Sequence, residues 1–277
     1  MIKKFNIRDN TFIRYEVIGK GPPILLLHTI RNRLEYSYKV SDLLKKKYTL
    51  YLLDLPGFGD SPININTNYD QEFFTNCVVD FIKENKLKNL IIAGESIGAV
   101  LSATTAIKLP KIVNKVFLFN PYDYDNYFGE GISRANLFAK FILYNISLPV
   151  VGSFFSSLEN KIILKNILRG GFFDIKCLSN EYLNLLCSSI KKNGYAYHFR
   201  NVLKNYKSWT EAKKLYNKIK IPVGLVYGDK DWANENNKNV TKDFFGLASY
   251  NIIKDCGHFS FLEKPKEVSE ILSSKDK

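Results

Sequence analysis

With 277 residues, 45% of them hydrophobic, the chain can bury a core large enough for one α/β domain with an insertion, which argues against intrinsic disorder. Forty Lys plus Arg against 27 Asp plus Glu leave a formal charge of +13, yet Lys is spread along the whole chain and no Arg-rich arm or aromatic RNA-binding motif stands out, so no nucleic-acid partner is expected. Cys77, Cys177, Cys187 and Cys256 form no CxxC pair and have no metal-ligand spacing; reduced core thiols are expected, with no metal site.

The N-terminal stretch MIKKFNIRDNTFIRYEV carries basic residues and then breaks into polar and charged positions, so no secretory apolar region is present and a cytoplasmic location is expected. After the turn signal Arg8–Asn10, Ile13, Tyr15 and Val17 alternate with Phe12, Arg14 and Glu16, which predicts an opening antiparallel hairpin. Short apolar runs follow at Pro23–His28, Thr49–Asp54, Asn89–Gly94 and Lys115–Asn120; none alternates with polar residues, as expected of strands buried on both faces. Between them, spaced apolar positions predict helices over Leu34–Lys46, Gln71–Glu84 and Ile97–Lys108. That alternation implies a mostly parallel sheet with helices on both faces.

Residues 121–220 lack comparable strand runs and read as helical, in stretches such as NLFAKFILYNI, LENKIILKNIL and SNEYLNLLCSSIKK. The most apolar part, Leu137–Phe155, is interrupted by Lys140, Asn145, Pro149 and Gly152, which argues against a membrane span. Strands resume at Ile221–Asp229 and within Ser249–His258, and a last helix begins near Pro265. Residues 1–120 and 221–277 therefore read as one α/β core, with 121–220 as a helical cap inserted between two late strands.

Glycine weakens both strands and helices, yet Gly94 and Gly98 bracket Ser96 in GESIG, where a strand run meets a helix. A serine hydroxyl is a weak nucleophile, and presenting it needs a sharp turn with strained dihedrals and close backbones, which small residues two before and two after permit. Two further elements follow. GDKDW ends a strand with Asp229 and Asp231, and DCGHFSFLEKP places His258 in the loop after the last strand run. Read singly, either aspartate is an ordinary turn carboxylate and His258 a hydrogen-bonded loop histidine. Together with Ser96 they supply nucleophile, acid and base in the order serine, acid, histidine.

Through LLLHT, DLPGFGDS, GESIGA, GDKDW and CGHFSFLEKP, taken in order, the chain resembles the cap-bearing serine hydrolases, esterase- and lipase-like, of the α/β-hydrolase superfamily. The resemblance implies the α/β-hydrolase fold, Ser96 as nucleophile, His258 as base, Asp231 as acid with Asp229 as runner-up, and an oxyanion hole from the amides of Ile97 and Ile30. It implies no cofactor. The chain departs from the family pattern at Thr29, where glycine usually follows the histidine, at Ala99, which replaces a frequent glycine, and at Glu95, where histidine is common. Thr29 is β-branched and poorly suited to positive φ, and Glu95 is expected beside the turn, outside the chemistry.

The expected activity is hydrolysis of a carboxylic ester carrying a lipophilic small-molecule acyl group. Carbon–carbon bond hydrolysis, acyl transfer or peptide cleavage can use the same triad, and a small-molecule receptor with vestigial hydrolysis is the reading from another class. His28, Thr29 and Trp232 are the candidate pocket residues; Arg31 and Arg33 suit an anionic substrate group or a solvated helix start. The Phe-, Leu- and Ile-rich insertion, with GGFF at Gly170–Phe173, can line an acyl pocket or bring the cap to a membrane surface, while packing onto the core is expected for most of its apolar residues.

Overall fold

In the computed structural model of the chain, residues 2–127, 129–148, 150–245 and 249–274 are described; Pro149, one of the residues that interrupts the apolar stretch, lies outside them. Eight strands, β1 (Ile2–Asn6), β2 (Phe12–Gly19), β3 (Pro23–Leu27), β4 (Thr49–Leu53), β5 (Leu90–Glu95), β6 (Val113–Phe119), β7 (Val223–Gly228) and β8 (Ser249–Ile253), form one sheet in the order β1-β2-β4-β3-β5-β6-β7-β8. The opening hairpin pairs Phe5 with Ile13 and joins β4 antiparallel; every other pairing is parallel.

The continuous apolar runs reflect burial from both sides. In β3, Leu25 and Leu27 face a core that includes Ile92 and Leu118, whereas Ile24 and Leu26 face one that includes Ala93, Phe117 and Val226. Burying each such aliphatic side chain contributes roughly 1.5–3 kcal/mol, which leaves no face of a central strand for polar residues. Helices α1 (Tyr38–Leu44), α2 (Gln71–Glu84) and α3 (Ile97–Lys108) follow strands as the periodicity predicts, α2 capped by the Asp70 side chain accepting from the Phe73 amide. The predicted Leu34–Lys46 helix divides, with a 3-10 turn at Leu34–Ser37 leading into α1, a common way for a helix to begin.

Between β6 and β7 the chain is helical: α4 (Glu130–Ala135), α5 (Leu137–Ser147), α6 (Val151–Ser157), α7 (Lys161–Arg169), α8 (Asn180–Ile190), α9 (Tyr195–Lys204) and α10 (Tyr206–Glu211). This insertion is tied down by polar contacts as well as packing. Lys192 donates to the carbonyls of Gly57 and Ser61 at 2.9 and 2.7 Å, and Tyr182 donates to Asn32 at 2.7 Å. Gly57 leaves room for His198 of α9; a Cβ there would stand 2.4 Å from the imidazole. Helices α11 (Glu235–Asp243), α12 (Ser260–Glu263) and α13 (Pro265–Leu272) complete the chain, α13 packing beside α1. Cys77 and Cys256 are buried free thiols, while Cys177 and Cys187, in the insertion, are only partly covered.

Candidate active site

β5 ends at Glu95 and α3 begins at Ile97, so Ser96 alone makes the turn, at φ 58° and ψ −118°. Positive φ costs a residue with a side chain about 1–3 kcal/mol and persists where the surroundings over-determine it. Here Ser96 N donates to the Phe119 carbonyl at 2.9 Å, and its own carbonyl accepts from the amides of Ala99 and Tyr122. Neither glycine of the motif has positive φ. Their role is close approach: a Cβ on Gly94 would lie 2.2 Å from the Gly98 carbonyl oxygen, and one on Gly98 would lie 2.4 Å from that of Leu27.

The loops after β7 and β8 bring Asp231 and His258 together, with Nδ1 of the imidazole 2.5 Å from the Asp231 carboxylate and both side chains fully buried. The other Asp231 oxygen accepts from the Ala233 amide at 2.9 Å. Asp229 turns away, accepting from the Cys256 amide at 3.1 Å and pairing with Lys230. The His258 ring stacks on Trp232 with centroids 3.9 Å apart. The carbonyls of Gly170 and Gly171 accept from Trp232 Nε1 at 2.9 Å and from the His258 amide at 2.7 Å, so the insertion itself braces the histidine loop.

Trp232 and Ser96 share the wall of a cavity of about 40 Å³. Ile30 and Ile97 line it from the core, and Tyr122, Ile132, Val202 and Leu203 from the insertion; among the described residues no charged side chain borders it. Ile97 is the first residue of α3, so its amide has no acceptor within the helix and stands next to the serine.

The sequence matches the family model described as alpha/beta hydrolase fold over residues 22–265. The chain belongs to the α/β-hydrolase family. Among curated relatives it is similar to bifunctional epoxide hydrolase 2 of Rattus norvegicus, 25% identical over 96% of this chain, of which it spans 53%, about half. Among solved structures it is similar to Cfl2 of Burkholderia cenocepacia, with a TM-score of 0.81 and 16% identity over 98% of this chain and 94% of that one. A meta-cleavage product hydrolase of Pseudomonas fluorescens superposes with a TM-score of 0.78 and 16% identity, covering 98% of this chain and 97% of that one.

Two expectations about the chain need correction. His28 and Thr29 are not on the cavity wall, which Trp232 does line. His28 is buried beneath the loop, its Nε2 accepting from the Leu55 amide at 3.0 Å and its Nδ1 bonded to the Thr29 carbonyl at 2.7 Å; burial lowers its pKa to about 4, so it stays neutral. Thr29 is tolerated because the left-handed residue of the loop is Arg31, at φ 62°. Arg31 and Arg33 meet neither solvent nor cavity. Arg31 is buried against Glu159 of the insertion, with its guanidinium over the Phe199 ring, and Arg33 bonds Glu35, Asp60 and the Leu185 carbonyl of α8.

Glu95 is fully buried, and Tyr36, Asn120 and both the amide and hydroxyl of Ser260 donate to its carboxylate. Asn120, at φ 44°, also donates to the His258 carbonyl at 3.1 Å and accepts from the Gly228 amide at 2.8 Å. One network thus joins the ends of β5, β6 and β7 to the histidine loop. Burial pushes the Glu95 carboxyl up to about 7, against His258 and the hydrogen bonds, which favour its ionised form. Asn120 closes the run KVFLFN, and an asparagine directly after a buried strand is the one local signal, since it tolerates left-handed φ and offers both donor and acceptor.

Proposed function

We propose that this α/β hydrolase cleaves carboxylic esters with an uncharged apolar acyl group, using Ser96, His258 and Asp231. The observation that carries the reading is the buried His258–Asp231 pair at 2.5 Å, stacked on a tryptophan that shares an apolar cavity with a left-handed serine. Asp231 holds the Nδ1 proton, which leaves Nε2 of His258 as the base; among the described residues that atom has no hydrogen-bond partner. Nε2 takes the Ser96 proton as Oγ attacks the acyl carbonyl, and the amides of Ile97 and Ile30 stabilise the oxyanion. His258 then protonates the departing alcohol, and water repeats the attack on the acyl-enzyme with the same base.

The nucleophile decides between this chemistry and that in the rat relative's name. Opening an epoxide on Ser96 forms an ether, which offers water no carbonyl to attack, whereas an acylated serine does. The narrow cavity beside Ser96, about 40 Å³ and lined by apolar side chains, favours short acyl groups. Labelling the protein with a fluorophosphonate and locating the adduct by mass spectrometry tests the nucleophile. The expected adduct is on Ser96, and its absence rules out every serine mechanism. p-Nitrophenyl esters of graded chain length follow, with turnover expected to fall as the acyl chain grows and to vanish in Ser96→Ala. Labelling without ester turnover transfers the site to carbon–carbon, amide or acyl-transfer chemistry, or to a receptor.

A further inference from the structure

The outer surface of the insertion does not pack on the core. Helix α5 has apolar residues on two sides: Ala139, Ile142, Leu143 and Ile146 are buried, while Leu137, Phe138, Phe141 and Tyr144, on the opposite side with Lys140 and Asn145 among them, are exposed, Leu137 at 74%. A helix that is apolar on its outer side as well as its inner one is ordinarily covered on both. α6 extends the patch, with Phe154 61% exposed; Phe141 and Phe154 both stack edge-on against Phe155, which joins the two helices into one aromatic surface. Monomeric soluble proteins rarely leave a continuous apolar patch larger than a few hundred Å² open to water, and larger ones mark interaction sites.

The charge beside the patch selects the partner. On α7 the buried residues Leu164, Ile167 and Leu168 face inward, and Lys161, Lys165 and Arg169 form an exposed row around Ile162. Phe138 and Arg169 border the same surface hollow, and Asn136 donates to the Asn166 carbonyl at 2.7 Å, so the cationic row lies next to the apolar stripe. Between residues 131 and 173 the single acidic residue is Glu159, which is buried and paired with Arg31; exposed Glu181 of α8 interacts electrostatically with Lys161, and the stretch as a whole keeps a surplus of exposed cations. Exposed aromatic and aliphatic side chains flanked by a surplus of cations are what an interfacial helix presents to an anionic bilayer. At 11 residues α5 reaches about 16 Å, too short to cross the hydrocarbon core of roughly 30 Å, and no helix of the described residues is long and apolar enough to span a membrane.

We propose that α5, α6 and α7 dock the protein in the plane of an anionic lipid surface, with Phe138, Phe141 and Phe154 entering the headgroup boundary and Lys161, Lys165 and Arg169 meeting the lipid phosphates. The insertion that carries this surface also contributes Ile132, Val202 and Leu203 to the cavity at Ser96, so docking places the site beside the membrane. The docking does not depend on the ester chemistry.

Flotation of the full chain with vesicles tests it. Binding to vesicles of phosphatidylcholine mixed with phosphatidylglycerol, weaker binding to phosphatidylcholine alone and loss of binding at high salt are expected. Phe141→Ser with Phe154→Ser should lower partitioning by about tenfold or more, since each removed ring withdraws buried apolar area. Lys161→Glu with Lys165→Glu should remove the preference for phosphatidylglycerol, whereas Lys46→Glu with Lys47→Glu, the same charge change at the exposed end of α1, should leave it largely in place. Equal losses from both lysine pairs would mean that overall charge, not this face, binds the vesicle. Failure to float with either vesicle, or a dimer in light scattering that the phenylalanine substitutions abolish, also overturns the proposal, the latter by showing a second copy on the patch. All four phenylalanine and lysine positions in the insertion are exposed, and unchanged thermal melts of the variants confirm that binding alone was altered.

Discussion

Replacing Glu95 with glutamine keeps the shape of the buried network and removes its charge. The carboxyl releases its proton near pH 7 in the folded chain and near 4.5 when free of the fold. Below pH 4.5 it is protonated in both states and has no pH-dependent effect. Between 4.5 and 7 the folded chain retains a proton that the unfolded chain has lost, so raising the pH favours unfolding; above 7 both are ionised and the full penalty applies. At about 1.4 kcal/mol per pH unit, the interval amounts to on the order of 3 kcal/mol. The amide of Glu95→Gln can still accept from Ser260 and Asn120 and can donate to Tyr36. Urea denaturation of both proteins across this range is the assay. The stability of Glu95→Gln relative to wild type should grow by about 3 kcal/mol between pH 4.5 and pH 8, most of it below 7. Asp123, another buried carboxyl raised by burial to about 7, contributes equally to both proteins and cancels in the difference. A difference that does not change with pH, or that shrinks as pH rises, would refute the assignment of a proton to buried Glu95.

Other substitutions probe separate parts of the same site. Asp231→Asn should lower kcat for an accepted ester by about 10³–10⁴-fold, because the imidazole loses the carboxylate that holds its tautomer, while Asp229→Asn should stay near wild type; a larger loss in the latter reassigns the acid. In Gly98→Ala the new methyl would lie 2.4 Å from the Leu27 carbonyl and 2.7 Å from that of His28, so thermal or urea melts should show a loss of about 1–3 kcal/mol and fluorophosphonate labelling should slow. Arg31→Ala leaves Glu159 buried without its partner and should cost about 3–5 kcal/mol in chemical denaturation, with Arg31→Ala/Glu159→Ala less destabilised than the single variant.

The strand runs and the glycine pair were legible because each reports a local requirement. A parallel strand covered on both faces must be apolar at successive positions, as in Ile24–Leu27, and a strand-to-helix turn at Ser96 needs residues without bulk where the backbones nearly touch. The helices Gln71–Glu84 and Ile97–Lys108 likewise follow from spacing along one segment. In the insertion the spacing was less informative, because α5 is apolar on its exposed stripe as well as its buried one, and composition does not say which side meets the core.

The amino-acid sequence by itself determined the alternating core, the turn at Ser96 and the chain order of Ser96, the Asp229 and Asp231 pair and His258, since all three are written in residue type over a few neighbouring positions. Only the tertiary structure decided that Asp231 rather than Asp229 meets His258, that Arg31 and Arg33 clamp the insertion, and that Glu95 gathers Tyr36, Asn120 and Ser260. The physical reason is distance along the chain. Charges and hydrogen bonds between residues up to 165 positions apart depend on which loops converge at the strand ends, and no local pattern encodes that convergence.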